Sequence, residues 1–423
     1  MNKTLLVVII TILAVHINAQ TIEECQRLAV ENYPLIRQYS LLDKTSELTL
    51  SKIKRGWLPQ VNFSAQASYQ SDVTAFPEAI QSVYQQLGID MQGLRKDQYR
   101  IALDVNQVLY DGGVMKRSKE VAKAEYDVEK SADDVSLYAI KQRVNELYFS
   151  ILLTEEQIIL EEDLSETLLT NERKLESMVR NGTASQSDLD NIRVERLTTM
   201  QRLNADRSAL NTLYSIISVL CGSDIKQLDK SSLSTMINND GLRPELKAID
   251  AQLRLLETKR KLVGTEITPR ISLFATGFYG YPGYNLFEDM MSRKWSLNGI
   301  VGARLTWNIG ALYNRKLELN LIDLQKQKAE NNRAIFMFNN DIEQTRHNES
   351  IERYKAMISS DDEIIELRSS IRKATESKLD NGVIDITDLL REISNETAAR
   401  QQRATHQILM FKEIYDLKLT KGE

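Results

Sequence analysis

The sequence predicts a mixed fold, part β-barrel and part α-helical coiled coil. Four short segments alternate apolar and polar residues. Two very long stretches without proline carry heptad repeats. The same order of elements occurs twice, and Asn181-Gly182 and Asn381-Gly382 stand 200 positions apart as the matching turns. Residues 20–230 read as the first structural repeat and 231–423 as the second.

Residues 1–19 read as a signal peptide. Lys3 supplies the positive start, residues 5–15 the apolar region, and Ile17-Asn18-Ala19 a cleavage site. That apolar run is too short to span a bilayer as a helix, so the mature chain is expected to leave the cytoplasm. Cys25 follows Ile22-Glu23-Glu24 rather than small residues, so no lipid anchor is expected. Cys25 and Cys221 are the two cysteines. In an exported protein they form either a disulfide or two buried thiols.

An opening helix is expected over 22–55. Trp57-Leu58-Pro59 then leads into a strand at about 60–70. Val61, Phe63, Ala65, Ala67 and Tyr69 share one face, with Asn62, Ser64, Gln66, Ser68 and Gln70 opposite. A second strand is expected at about 99–109, where Ile101, Leu103 and Val105 alternate with Ala102, Asp104 and Asn106. In the second repeat Ile267-Thr268-Pro269 opens a strand at about 269–279, and another follows at about 295–308. The last is the longest: Trp295, Leu297, Gly299, Val301, Ala303, Leu305 and Trp307 make one face, and Ile300 is the exception on the polar face opposite. Strands of this length and period suit a tilted membrane crossing. Tyr69, Tyr99, Trp295 and Trp307 near their ends suit the membrane interface. A soluble sandwich has the same alternation, but four strands supply it only a small core.

Lipid leaves no water to satisfy an open sheet edge, so a membrane sheet must close. The smallest bacterial barrels need about eight strands. Two copies of this chain supply eight and three supply twelve; twelve leave room for a water-filled lumen. The loops at 71–98 and 280–294 are long and belong on the outer surface, so the helices run into the periplasm.

Helices are expected at about 114–220, 241–264 and 311–418, interrupted by the two turns. Val121, Val128 and Val135 fall seven apart, as do Leu137, Val144, Ile151 and Ile158, and Ile351, Ile358 and Ile365. This is a coiled-coil seam. Residues 114–180 contain neither proline nor glycine, which permits a helix roughly 100 Å long. Gly182 and Gly382 suit the positive φ that ends a helix. Ser185 with Asp188, and Asp385 with Asp388, have capping spacing for the returning helices.

A net charge of −5 over 423 residues offers no basic field, so no nucleic-acid partner is expected. No catalytic, metal or cofactor site is read. Of three histidines, His16 lies in the leader, while His347 and His406 read as solvated on polar helical faces. No metal-spaced Cys/His cluster or Gly-rich phosphate loop appears.

Several short motifs carry a family resemblance. They are residues 25–34 (Cys-Gln-Arg-Leu-Ala-Val-Glu-Asn-Tyr-Pro), Trp57-Leu58-Pro59-Gln60-Val61, Val108-Leu109-Tyr110-Asp111-Gly112-Gly113, and the turns Asn181-Gly182 through Asp188-Leu189 and Asn381-Gly382 through Asp388-Leu389-Leu390. In this order the chain resembles the TolC family of outer-membrane efflux proteins over residues 21 to about 419. The resemblance implies a homotrimer with a twelve-stranded outer-membrane barrel, four strands per chain, continued by a periplasmic α-helical tunnel. It implies outer-membrane lipid as surroundings, a periplasmic adaptor protein at the tips, and an inner-membrane pump of RND or ABC type. The adaptor-docking tips would include Asn181, Gly182, Thr183, Asp188, Asn381, Gly382 and Asp388.

One departure is the second strand-to-helix turn, Trp307-Asn308-Ile309-Gly310, which lacks Asp-Gly-Gly and is expected to be a tighter version of the first. Glu376, Asp380, Asp385 and Asp388 are candidates for the tip gate or selectivity rings, since a trimer repeats each acid three times. They read equally as helix caps and solvated faces. The implied function is an exit duct for pump-delivered substrates in efflux or type I secretion. A passive porin-like diffusion channel and a structural coiled-coil surface protein are the alternatives.

Overall fold

The computed structural model describes residues 19–90, 93–237, 241–381 and 383–423. Of the expected features, the leader apart from Ala19, and Gly382, lie outside these residues. The elements follow in the order α1 (Ile22–Asn32), α2 (Ile36–Arg55), β1 (Gln60–Tyr69), α3 (Glu78–Gln86), β2 (Asp97–Tyr110), α4 (Val114–Arg180) and α5 (Gln186–Cys221). A single 3-10 turn at Lys230–Ser232 precedes α6 (Pro244–Val263), β3 (Arg270–Tyr281), α7 (Leu286–Ser292), β4 (Ser296–Thr306), α8 (Ala311–Asp380) and α9 (Ile386–Thr420). Among the described residues, no helix is long and apolar enough to cross a membrane.

The chain divides into two compact units. One holds the chain up to Ser40, Lys130–Ile249 and Asn332–Glu423; the other holds Leu41–Glu129 and Asp250–Asn331. The second unit contains one antiparallel sheet in the order β1-β2-β3-β4. Its small apolar cores lie among Leu94, Tyr281 and Met290, and among Val121, Ala124 and Leu255. The first unit is helical. Its main core gathers Ile22, Cys25 and Ala29 of α1 with Val144, Tyr148, Phe149, Ile151 and Leu152 of α4. A second core joins Leu168 and Leu175 of α4, Leu189 and Ile192 of α5, Leu379 of α8, and Ile386, Leu389 and Ile393 of α9. The heptad seam Leu137, Val144, Ile151 and Ile158 is buried throughout, as knobs at helical spacing should be. In the second repeat Ile351 is buried, whereas Ile358 and Ile365 are only half-buried.

Three local readings change. The opening helix is broken: Tyr33 precedes Pro34 and takes an extended conformation, φ −63° and ψ 131°, which ends α1. Proline crowds the helical conformation of the residue before it, which accounts for the break. The two long loops carry short helices, α3 and α7. Finally, His347 and His406 are buried rather than solvated. His347 Nδ1 lies 2.6 Å from Glu413, and His406 Nδ1 lies 2.6 Å from Asp361. A carboxylate on a neighbouring helix satisfies each ring, which is what makes its burial tolerable.

Candidate functional site: the sheet wall and the helical tips

The register puts every apolar stripe of the sheet on one face. Val61, Phe63 and Ala65 of β1 oppose Val105, Leu103 and Ile101 of β2. Those oppose Ala275, Gly277 and Tyr279 of β3, which in turn oppose Val301, Gly299 and Leu297 of β4. Among the described residues nothing covers this face: Phe63 is 73% exposed, Leu297 82% and Val301 78%. A monomeric soluble sheet would pack such a face into a core.

The other face is polar and internally knitted. Thr276 Oγ1 donates to Asp104 at 2.6 Å. The Arg100 guanidinium sits 4.1 Å over the Phe278 ring and that of Arg304 4.8 Å over Phe274. These contacts keep cationic heads on the polar side and hold their aliphatic stems against neighbouring strands. β1 and β4 are the two edges of the sheet order.

Aromatic residues gather at the loop end of the sheet. Tyr99 stacks on Trp295 with ring centroids 5.8 Å apart, and Tyr279 approaches the same indole at 5.4 Å. Tyr69 closes β1 at this end and is exposed. The place of Tyr279 beside Trp295 follows from strand register, which sequence spacing does not show. Trp307 lies at the opposite end, where its indole donates to Ile267 O at 2.9 Å.

The strand-to-helix turns differ as their sequences do. Asp111 accepts from Gly113 N at 2.8 Å and from Met115 N at 2.6 Å, capping α4. Gly112 takes φ +73°, and a Cβ there would lie 1.8 Å from Thr268 Oγ1, so only glycine fits. The second turn uses no positive φ at Gly310; Ala311 N donates to Asn308 O at 3.4 Å and Leu312 N to Ile309 O at 3.1 Å.

At the first tip, Asn181 N donates to Ser177 O and Gly182, at φ +76°, to Val179 O. Thr183 N donates to Met178 O at 2.9 Å, and its hydroxyl to the same oxygen at 3.0 Å. Ser185 and Asp188 form a reciprocal capping box at the start of α5. The second tip repeats this pattern: Asn381 N donates to Ser377 O, and Val383 N to Lys378 O at 3.0 Å. Asp385 caps α9 by accepting from Thr387 N and Asp388 N.

The candidate acids all have partners within the chain. Asp380 pairs with Lys174 of α4, Glu376 accepts from Arg372 at 3.0 Å, and Asp388 accepts from Arg391 at 2.6 Å. Asp385 serves as a cap. Two buried acids that sequence reading passed over anchor the hairpins. Glu172 accepts from Arg193 at 2.9 Å and from Arg196, and Glu396 from Arg400 at 2.7 Å and from Arg372. Burial opposes ionisation of both, but the paired guanidiniums prevail and hold each carboxyl below its usual range. The available signal was an acid and two arginines repeated on the returning hairpins, which spacing alone does not separate from solvated charge.

No family model and no curated protein matches the sequence. Solved structures do. The chain superposes on CusC, described for transmembrane channel formation, with TM-score 0.70 and 14% identity over 95% of this chain and 92% of that one. It matches the outer-membrane protein VceC of Vibrio cholerae with TM-score 0.66 and 12% identity over 95% and 96%. The MtrE outer-membrane channel of Neisseria gonorrhoeae gives TM-score 0.64 and 14% identity over 95% and 88%. With the duplicated order of elements and the four-stranded sheet in place, the chain has the TolC-like fold of these outer-membrane channels.

Proposed function

We propose that this chain is the outer-membrane channel of a tripartite efflux or type I secretion system, giving pump-delivered substrates an exit across periplasm and outer membrane. The observation that carries the reading is the open sheet: a continuous bare apolar face, a knitted polar face, and the two edge strands β1 and β4. Three copies closed edge to edge make twelve strands, with the apolar face toward lipid and the polar face around water. Residues 1–19 then act as the export leader, and the homotrimer places the helical part in the periplasm. The aromatic residues Tyr69, Tyr99, Tyr279, Trp295 and Trp307 mark the two lipid interfaces.

The chain itself performs no chemistry in this reading; an RND or ABC pump supplies the energy. The tips at Asn181, Gly182, Thr183, Asp188, Asn381, Gly382 and Asp388 receive the periplasmic adaptor. The Lys174–Asp380 pair ties one hairpin to the other, α4 to α8, and Arg372 holds Glu376. Widening a tip separates the hairpins, so these acids contribute to the gate through broken pairs as well as through repulsion around a ring.

Bilayer conductance of the purified protein tests the reading. The wild type should be nearly closed, and Lys174→Ala with Arg372→Ala should raise conductance several-fold. A wide, constant conductance in the wild type would support the passive porin instead. Cross-linking from a reactive group placed at Thr183 should trap an adaptor protein in cell envelopes; trapping nothing would contradict the docking assignment.

A further inference from the structure

Cys25 and Cys221 are not used by the channel reading, and the fold brings them together. Cys25 is 0% exposed and Cys221 3%, in one apolar core of the helical unit. The Cys221 thiol donates to Cys25 O at 3.4 Å. The surrounding backbone is fixed. Asn32, the last residue of α1, donates its amide to Val219 O at 3.1 Å and Leu220 O at 3.2 Å at the end of α5. Gly222 caps α5 in the left-handed region, φ 68°, closely packed against that asparagine. Both helices are therefore clamped beside the thiols, which share one core.

We propose that Cys25 and Cys221 form a structural disulfide in the exported protein, closing the first repeat on itself. The proposal rests on export from the cytoplasm, the part of the proposed function that supplies an oxidising compartment. The co-reactant is a disulfide donor, either a small molecule or a dithiol oxidase. The Cys221 thiolate attacks one donor sulfur, forming a mixed disulfide as the donor S–S bond breaks. Cys25 gives up its proton and attacks the Cys221 sulfur, which expels the second donor sulfur as a thiolate. The cysteines lose two protons and two electrons, and the donor leaves as two thiols. In the folded core the hydrogen bond between the thiols, with burial, pushes the Cys25 thiol up, while the same bond holds Cys221 down; the exchange is equivalent with the two cysteines in either order.

The thiols are buried in the finished core, so the bond forms while the chain is folding and is afterwards protected from reductants. The loop it closes joins positions 196 residues apart and contains β1, β2, α4 and most of α5. Cross-linking a loop of that length removes much conformational freedom from the unfolded chain. The second repeat contains no cysteine, so the staple belongs to the first half alone.

Acid-quenched cells expressing the full chain should be fractionated, denatured and treated with a mass-tagged maleimide before and after reduction. Chain in the envelope should take no tag before reduction and two after it; two tags before reduction would overturn the disulfide. Recovery only in the cytoplasm would overturn export instead. In that case the purified chain refolded with oxidised glutathione decides the pairing: an intramolecular disulfide supports it, and free thiols or two glutathione adducts contradict it. Cys25→Ala and Cys221→Ala should each leave one tag before reduction. Reductant should lower the melting midpoint of the native chain and leave that of the doubly substituted chain unmoved; equal responses would remove the structural role.

Discussion

Helices α4 and α8 are counterparts in the two repeats, 67 and 70 residues long, yet their surroundings differ. α4 buries Leu137, Val144, Tyr148, Phe149, Ile151, Leu152, Leu168 and Leu175 within its own chain. α8 leaves Leu317, Leu321 and Leu324, then Ile335, Phe338 and Ile342, exposed at spacings of three and four. That spacing is an apolar helix stripe left uncovered among the described residues. The sheet repeats the lesson: its apolar face is as bare as the α8 stripe. The helical cores that hold α4 draw side chains from both repeats, whereas the α8 stripe and the apolar sheet face stay bare among the described residues. The packed core around α4 is thus a finished part of the fold, and the bare α8 stripe and sheet face are its unfinished parts.

Four substitutions or conditions sharpen this contrast. The largest effect falls on the finished side. Phe149→Ala should cost the chain about 3–5 kcal/mol, read as loss of folded protein before any question of assembly arises. An unchanged unfolding midpoint would mean that α4 is not what holds the chain together. On the unfinished side, Val301→Arg at the middle of β4 should cost about 2–4 kcal/mol per chain in lipid. Its signature is protein that accumulates outside the membrane with helical content intact. Normal insertion would refute the assignment of the apolar face to lipid.

Phe338→Glu should separate chain from assembly. Burying a large apolar side chain is worth about 1.5–3 kcal/mol, and in the proposed trimer that would fall on each interface between copies. Circular dichroism should be unchanged while the oligomer fraction drops in detergent; equal loss of both would return α8 to the core of its own chain. The smallest effect is shared by both halves. The carboxyls of Glu172 and Glu396 are held below their usual range when folded, so their stabilisation is full above the unfolded carboxylate value of about 4.3. It is lost as pH falls from there through the folded values. The melting midpoint should decline below about pH 4.3, and Glu172→Gln should flatten part of that decline. An identical slope in the variant would show that the pair is not thermodynamically linked to folding.

Much of the architecture was legible in the sequence. Alternation in Trp295 to Trp307 follows directly from the two-residue period of a strand, and Asn-Gly turns end helices for a local steric reason. The heptad seam through Val144 and Ile151 reads without tertiary knowledge. What could not be read depends on which residues meet across the fold. Asp380 read as either a ring acid or a solvated one because Lys174, 206 positions away, carries no mark in its own neighbourhood. His347 and His406 looked solvated because Glu413 and Asp361 lie on other turns or helices. Tyr279 joined the Trp295 cluster only through the β3–β4 register. The small core that Leu94 makes with Tyr281 and Met290 brings together residues from both long loops, whose polar composition concealed it.

The mass of the detergent-extracted particle tests the central claim most directly. Native mass spectrometry of protein purified from membranes should give three chains per particle, with no stable single chain. A soluble, folded monomer whose sheet is protected from solvent by its own helices would contradict the shared wall and the channel built from it.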